Sequence, residues 1–326
     1  MRRIVIVTGG NIGIGLAIAA AFRDSDCLVY EISKTSAGTH GINHIDVDVT
    51  EEALVAEAIN NIFAKEGRID IAANCAEYGI SGALEYTDLD QAARELELNL
   101  FGAANVCKAL APIMRLQGFG RILNISNFTA EMPLPFQGWY AASKAALASL
   151  TASFAEEMKP YGVSACTILL PYVNAGFAAA RIKNEEGSET YGGRIERSLA
   201  YAEKKESKGL NPQTVGKTVA EIALGKRLRH QYNLPGPGVI APFFHALLGP
   251  EGIRGIVYSL YGGEEKGLWK RTVKNTCLKA LYWLGEKISV LGKMIADDAK
   301  AVWKKIKGSI KLPGKKNTDQ NDEPKQ

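Results

Sequence analysis

The feature that most constrains this chain lies at its start. Ile4-Val5-Ile6-Val7 runs into Thr8-Gly9-Gly10-Asn11-Ile12-Gly13-Ile14-Gly15, and helix-forming residues follow from Leu16. An unbroken run of β-branched side chains reads as a strand buried on both faces, the kind that parallel sheets use. Glycines after it permit positive φ and close backbone approach, while the opening helix offers free N–H groups and the positive end of its dipole. Strand, glycine turn and helix in that order suit a pyrophosphate. Gly9, Asn11, Ile12, Gly13, Ile14 and Gly15 are therefore candidate cofactor-binding residues.

The alternation continues. Cys27–Tyr30, Ile42–Ile45, Ile69–Ala73, Arg121–Ser126 and Ser164–Leu170 read as strands, separated by helical patterns at Gly15–Arg23, Glu51–Lys65, Leu89–Leu116 and Tyr140–Tyr161. This order predicts an α/β fold, a Rossmann-type doubly wound parallel sheet flanked by helices, over residues 1–240. Residues 176–210 are polar and glycine-containing and read as a mobile insertion over the C-terminal edge of the sheet.

Glu31 follows the expected second strand, where a carboxylate accepts hydrogen bonds from ribose hydroxyls and repels a 2′-phosphate. With no Arg or Lys in the glycine loop, NAD(H) is expected over NADP(H), although Lys34 could swing in. Asp48 and Val49, after the third strand, suit the adenine edge, and Asp48 could equally be a helix cap. Farther on, Tyr140-Ala141-Ala142-Ser143-Lys144 puts a phenol and an ammonium one helical turn apart. A neighbouring cation favours the phenolate, and such a phenol can exchange a proton with a carbinol oxygen.

These motifs together resemble the short-chain dehydrogenase/reductase family over about residues 3–240. The resemblance is carried by Thr8-Gly9-x-x-x-Gly13-x-Gly15, Asp48-Val49-Thr50, Asn99, Asn124-Ile125-Ser126 and Tyr140-x-Ala142-Ser143-Lys144. It implies an oxidoreductase that interconverts a secondary alcohol and a carbonyl. Tyr140 would be the acid/base and also contact the cofactor, Lys144 would tune it and hold the nicotinamide ribose, and Asn99 would anchor a relay water. Asn74 would border the cofactor. Homodimers or homotetramers, formed through Leu89–Leu116 and Tyr140–Tyr161, are likewise implied. The segment Asn211-Pro212-Gln213-Thr214-Val215 with Arg227–Tyr232 resembles members that act on lipophilic alcohols and carbonyls.

Three positions depart from the family pattern. Asn127 stands where the catalytic serine is expected, with Ser126 one step earlier and so on the opposite face of a regular strand. Asn127 can still donate from its amide and is a candidate catalytic residue. Glu77 replaces the glycine of the family's Asn-Asn-Ala-Gly, so it either points outward or narrows the site. Pro171-Tyr172 replaces a Pro-Gly pair, with Ala175 where a threonine is frequent. The alternative reading is therefore a catalytically weakened NAD(H)-binding module that acts by docking.

Composition bears on what lies beyond this region. Residues 264–326 hold 15 Lys/Arg against 8 Asp/Glu, whereas the preceding residues are slightly acidic. Leu281, Leu284, Ile288, Leu291, Ile295, Val302 and Ile306 recur at three- and four-residue steps, so 241–308 is expected to be an amphipathic helical extension and 309–326 a disordered polar tail. The stripe within 268–308 suits either a membrane interface or a protein groove. Five scattered cysteines and four dispersed histidines give no metal-ligand spacing, and no metal site is expected. Nor is nucleic-acid binding, because the lysines are not interleaved with a stacking platform. With no signal peptide before Ile4 and no run of about 18 apolar residues, a cytoplasmic protein is expected, with peripheral contact at a membrane surface as an option.

Overall fold

The computed structural model describes residues 2–35, 38–236 and, within 253–261, all but 256 and 259. In chain order these form β1 (Ile4–Thr8), α1 (Gly13–Asp24), β2 (Leu28–Ser33), β3 (Ile42–Asp46), α2 (Glu52–Glu66), β4 (Ile71–Asn74), β5 (Ile80–Ser81), α3 (Leu89–Leu96), α4 (Ala103–Gln117), β6 (Gly120–Asn127), α5 (Gly138–Met158), β7 (Val163–Leu170), α6 (Phe177–Ala180), β8 (Ile182–Lys183), α7 (Arg194–Glu206), α8 (Pro212–Leu224) and β9 (Gln231–Asn233). Seven strands make one sheet in the order β3-β2-β1-β4-β6-β7-β9, every pair parallel. The order reverses direction between β1 and β4, which opens a crevice at the strands' C-terminal ends.

The expected doubly wound sheet is present, and its two faces bury separate cores. Ile4, Ile6, Ile59, Leu110 and Met114 belong to one, beneath α2, α4 and α5. Val5, Val7, Ile18, Phe22, Val215 and Val219 belong to the other, beneath α1 and α8. Alternate residues of β1 feed opposite cores, which is why its whole sequence is apolar.

Two differences from the sequence reading move chemistry. Strand β2 runs on to Ser33 and does not end at Tyr30, so Glu31 lies within the strand beside Val7 and His44. The helical pattern expected at Leu89–Leu116 is interrupted by a π-helical turn, Glu97–Gly102, which holds Asn99. Single π-turns inside helices often mark functional positions, because the extra residue re-aims the side chains around it.

The segment 176–210 contains regular structure: α6, the β5–β8 pair, and α7 with Ile195, Leu199 and Ala202 buried. Beyond residue 240, Ile253, Val257 and Tyr261 pack with Phe128, Leu134 and Ala202. Residues Met1–Lys274 and Asn275–Gln326 are two separate units. The second, the amphipathic stripe expected within 268–308 and the tail 309–326 lie outside the described residues. Among the described residues no helix is long and apolar enough to cross a membrane.

Candidate active site

The glycine turn closes on itself at the switch point. Gly13 holds φ +56°, and a Cβ on Gly15 would come within 2.1 Å of the Gly9 carbonyl oxygen. Only glycine permits both. Helix α1 starts at Gly13 with no side-chain cap and no acidic residue in its first turn, so its N–H groups are left to an anion. A groove runs from this turn past Ser33, Lys34, Thr35, Asp48, Val49 and Thr50, then past Cys75, Ala76, Glu77 and Tyr78. Gly9, Asn11, Ile12, Gly13, Ile14 and Gly15 all line it. The helix terminus without a side-chain cap and a turn that only glycine can make fit an elongated dinucleotide.

Four expected cofactor contacts, Glu31, Asn74, Tyr140 and Lys144, are not on its wall. Glu31 is 2 % exposed and sits behind Gly10, where a Cβ would meet its Cγ at 2.6 Å. Its Oε2 lies 2.6 Å from His44 Nδ1. The physical reason is strand alternation: two residues before the strand's end, Glu31 points into the sheet's α1 side, and Ser33, Lys34 and Thr35 form the rim. One of the two grounds for expecting NAD(H) is thereby removed; the absence of Arg and Lys from the glycine loop remains. Asn74 is buried and donates to Asn124 Oδ1 at 2.7 Å, tying β4 to β6 inside the sheet. Asp48 caps the following turn by accepting from Thr50 N at 3.0 Å, and its carboxyl is held low despite its burial by Lys34, whose Nζ lies 2.5 Å away.

A second cavity adjoins the groove. It is lined by Asn127, Gln137, Tyr140, Arg181 and Glu206, and shares Ile14, Glu77 and Phe177 with the groove. Tyr140 and Lys144 stand on one face of α5, buried, with Lys144 Nζ 5.7 Å from the centre of the tyrosine ring. Lys144 also donates to the Ile125 carbonyl at 3.2 Å. Glu77 occupies the junction. It accepts from the Tyr140 hydroxyl at 3.2 Å and forms an ion pair with the Lys144 ammonium. Of the two orientations open from the sequence, Glu77 therefore takes the inward one.

The electrostatic result reverses an expectation. The Tyr140 phenol is pushed well above its ordinary value, first by burial and then by the Glu77 carboxylate, instead of being lowered by Lys144. The lysine's charge is matched by Glu77, so less of it reaches the phenol.

Asn99 is 1 % exposed, and both its N–H donors are engaged, with the Tyr78 carbonyl at 2.9 Å and Ser143 Oγ at 3.0 Å. Its Oδ1 accepts from Tyr78 N at 3.0 Å. The side chain thus pins the strand-end loop that carries Glu77. Ser126 and Asn127 both border the Tyr140 cavity, Ser126 donating to the Lys144 carbonyl at 3.0 Å and Asn127 with its Oδ1 bonded to Thr129 N.

Three buried charged groups near the tyrosine were not anticipated: Glu95, Arg181 and Glu206. Burial raises the Glu95 carboxyl to about 8. A signal existed for Glu95, since Ala92, Glu95 and Asn99 share one helical face and a charge there cannot face solvent. Nothing in the local pattern marked Arg181 or Glu206.

The family comparison agrees with this geometry. The family described as short chain dehydrogenase matches residues 3–186. A 3-ketodihydrosphingosine reductase of Bacteroides thetaiotaomicron is 33% identical over 227 residues, covering 69% of this chain and 84% of that protein. The human 17-beta-hydroxysteroid dehydrogenase type 1 is 31% identical over 193 residues, covering 54% and 58%. Among solved structures, a short-chain dehydrogenase from Streptomyces avermitilis superposes with a TM-score of 0.67 at 24% identity, covering 75% of this chain and 92% of that one. The chain belongs to the short-chain dehydrogenase family, oxidoreductases that act on CH–OH groups with a nicotinamide cofactor.

Proposed function

We propose that this protein interconverts a secondary alcohol and a carbonyl on a lipophilic substrate, with Tyr140 as the proton donor and acceptor. The observation that carries the reading is the meeting of the glycine groove and the Tyr140 cavity at Glu77, Ile14 and Phe177. The nicotinamide supplies hydride. The chain's own residues do the rest: Tyr140 gives a proton to the oxygen as it gains charge, and Lys144 holds the adjoining hydroxyls once Glu77 releases it. Asn127 borders the same cavity and can offer its amide to the carbonyl oxygen. A phenol held above its ordinary value stays protonated near neutrality, which favours reduction. The names of the Bacteroides and human relatives denote lipophilic substrates, which supports that class here.

For the cofactor, the reading moves from NAD(H) to NADP(H). Lys34 and Thr35 stand at the groove rim, with Asn11 donating to Thr35 Oγ1 at 2.8 Å, and the carboxylate of Glu31 faces elsewhere. Lys34 is paired with Asp48 at this rim, and a 2′-phosphate would compete with that carboxylate for its ammonium. Purified protein should quench its tryptophan fluorescence on titration with NADPH and reduce a long-chain ketone, with Tyr140→Phe inactive. Binding without Tyr140-dependent turnover would favour the second reading, a nucleotide-binding module with weakened catalysis. Glu77 lends that second reading its one specific observation, since its carboxylate sits on both catalytic side chains.

Two further readings concern partners. Phe101, Leu116 and Leu150 are exposed on the helices expected to build a homodimer or homotetramer, which supports self-association; sedimentation would measure it. The stripe within 268–308 is read as a peripheral membrane contact of a cytoplasmic enzyme. Flotation with anionic vesicles, with and without residues 264–326, tests that, and equal flotation of both forms would overturn it.

A further inference from the structure

Four buried polar atoms around the Tyr140 cavity have no partner within the protein, three of them on Arg181, Glu206 and Gln137. Arg181 is 5 % exposed, and its Nη2 ion-pairs Glu206 Oε1, leaving Nη1 buried and unmatched. Glu206 Oε2 is likewise buried and unmatched. So is Nε2 of Gln137, a residue 4 % exposed. All three residues line the cavity that holds the Tyr140 ring. The Thr129 hydroxyl, also unmatched there, can turn to donate or accept. Buried polar atoms are nearly always paired in folded proteins, so this many in one cavity point to a ligand that pairs them.

The chemistry of the set narrows the ligand. Arg181 and Glu206 already neutralise each other, so the cavity has no net call for an ion. An anion would meet the Glu206 carboxylate, and an ammonium would meet the Arg181 guanidinium. A ketone or ether oxygen would leave Glu206 Oε2 unpaired. A hydroxyl has two lone pairs and one proton, matching the two N–H donors of Arg181 and Gln137 and the one acceptor of Glu206. Distance agrees: the guanidinium lies 5.1 Å from the Phe177 ring, and that ring lies 5.2 Å from the Tyr140 ring. One aromatic ring separates Arg181 from the proton donor.

We infer that Arg181, Gln137 and Glu206 form a subsite for a hydroxyl that the substrate carries a few bonds from its carbonyl, so that the substrate is a hydroxy ketone and its product a diol. The inference rests on Tyr140 as the proton donor and deepens that reading by naming the substrate class.

The test compares a dodecanone with derivatives bearing one hydroxyl on the first, second or third carbon from the carbonyl. The kcat/KM of at least one derivative should exceed that of the parent by about tenfold or more, chiefly through KM, as expected for hydrogen bonds that include a charged group. Glu206→Gln should reduce that ratio. The Arg181→Met, Glu206→Met double variant, which removes both charges together and so avoids a stranded ion, should bring it close to one. A second measurement needs no turnover: the matching diols should raise the melting temperature of the wild-type protein more than the monoalcohols do. Preference for no derivative above about twofold, a factor too small for one paired hydrogen bond, together with equal melting shifts, would overturn the subsite. If no ketone is reduced while diols still shift melting more, the reductase reading falls and the subsite stands.

Discussion

The Tyr140 hydroxyl donates to Glu77 at 3.2 Å, and the same carboxylate oxygen ion-pairs Lys144. On the proposed roles of Tyr140 and Lys144, a side chain that replaces a glycine of the family pattern thus fills the position that a cofactor ribose and a substrate oxygen would take. Binding must move this carboxylate, and a buried ion pair resists separation because each charge loses its partner in a place poor in water. Glu77 is held only at the end of a loop pinned by Asn99, so it can swing without unfolding a helix or strand.

Removing the obstruction should therefore strengthen cofactor binding. Glu77→Gly should lower the Kd for NADPH by about tenfold, about 1.4 kcal/mol, measured by fluorescence titration. Glu77→Gln should also move the alkaline limb of the pH profile for reduction to lower pH, because the carboxylate that raises the Tyr140 phenol is gone. An unchanged Kd in both variants would show that Glu77 yields freely.

Tyr140→Phe should cut turnover by at least about 10²-fold, the usual contribution of a positioned proton donor. NADPH binding should persist, since the glycine groove lacks any contribution from this residue. Comparable turnover would remove Tyr140 from the chemistry.

Lys34 and Glu31 make opposite predictions about the cofactor. Lys34→Ala should weaken NADPH binding by about tenfold, as loss of one charge-assisted bond implies, and leave NADH binding little changed. Glu31→Gln should leave the ratio of the two affinities as it was, because Glu31 is bonded to His44 away from the groove. Competitive titration of both cofactors reads the result, and a ratio that follows Glu31 would contradict this placement.

Glu95 should make stability fall as pH rises. Its carboxyl is shifted from 4.5 to about 8, so between those values the folded protein holds a proton that the unfolded chain has released. Stability is fully present below about pH 4.5 and declines until about pH 8, where folded and unfolded forms are both ionised. Glu95→Gln should flatten that slope and gain on the order of 3 kcal/mol at the alkaline end. Urea melts at several pH values measure it; parallel slopes for wild type and variant would refute it.

Much of the scaffold was legible before any coordinates. The apolar run of β1, the glycine turn and the pairing of Tyr140 with Lys144 are local patterns, set by strand alternation, backbone freedom and helical spacing. Glu31 shows where local reading stops. Its role depends on where β2 ends, and three more residues of pairing with β1 and β3 turned it from the ribose edge into the sheet. Asn99 likewise sits in a turn whose π geometry no residue pattern announced.

The sequence by itself determined the order of strands and helices, the glycine turn before α1 and the placement of Tyr140 and Lys144 one helical turn apart, because each depends on residues close together in the chain. Only the tertiary structure decided which charges surround that pair. Glu77 meets Tyr140 across 63 residues, and Arg181 meets Glu206 across 25. Such contacts arise when separate elements pack around one cavity. Their energies depend on burial and on the partner present, and neither is written in the local order of amino acids.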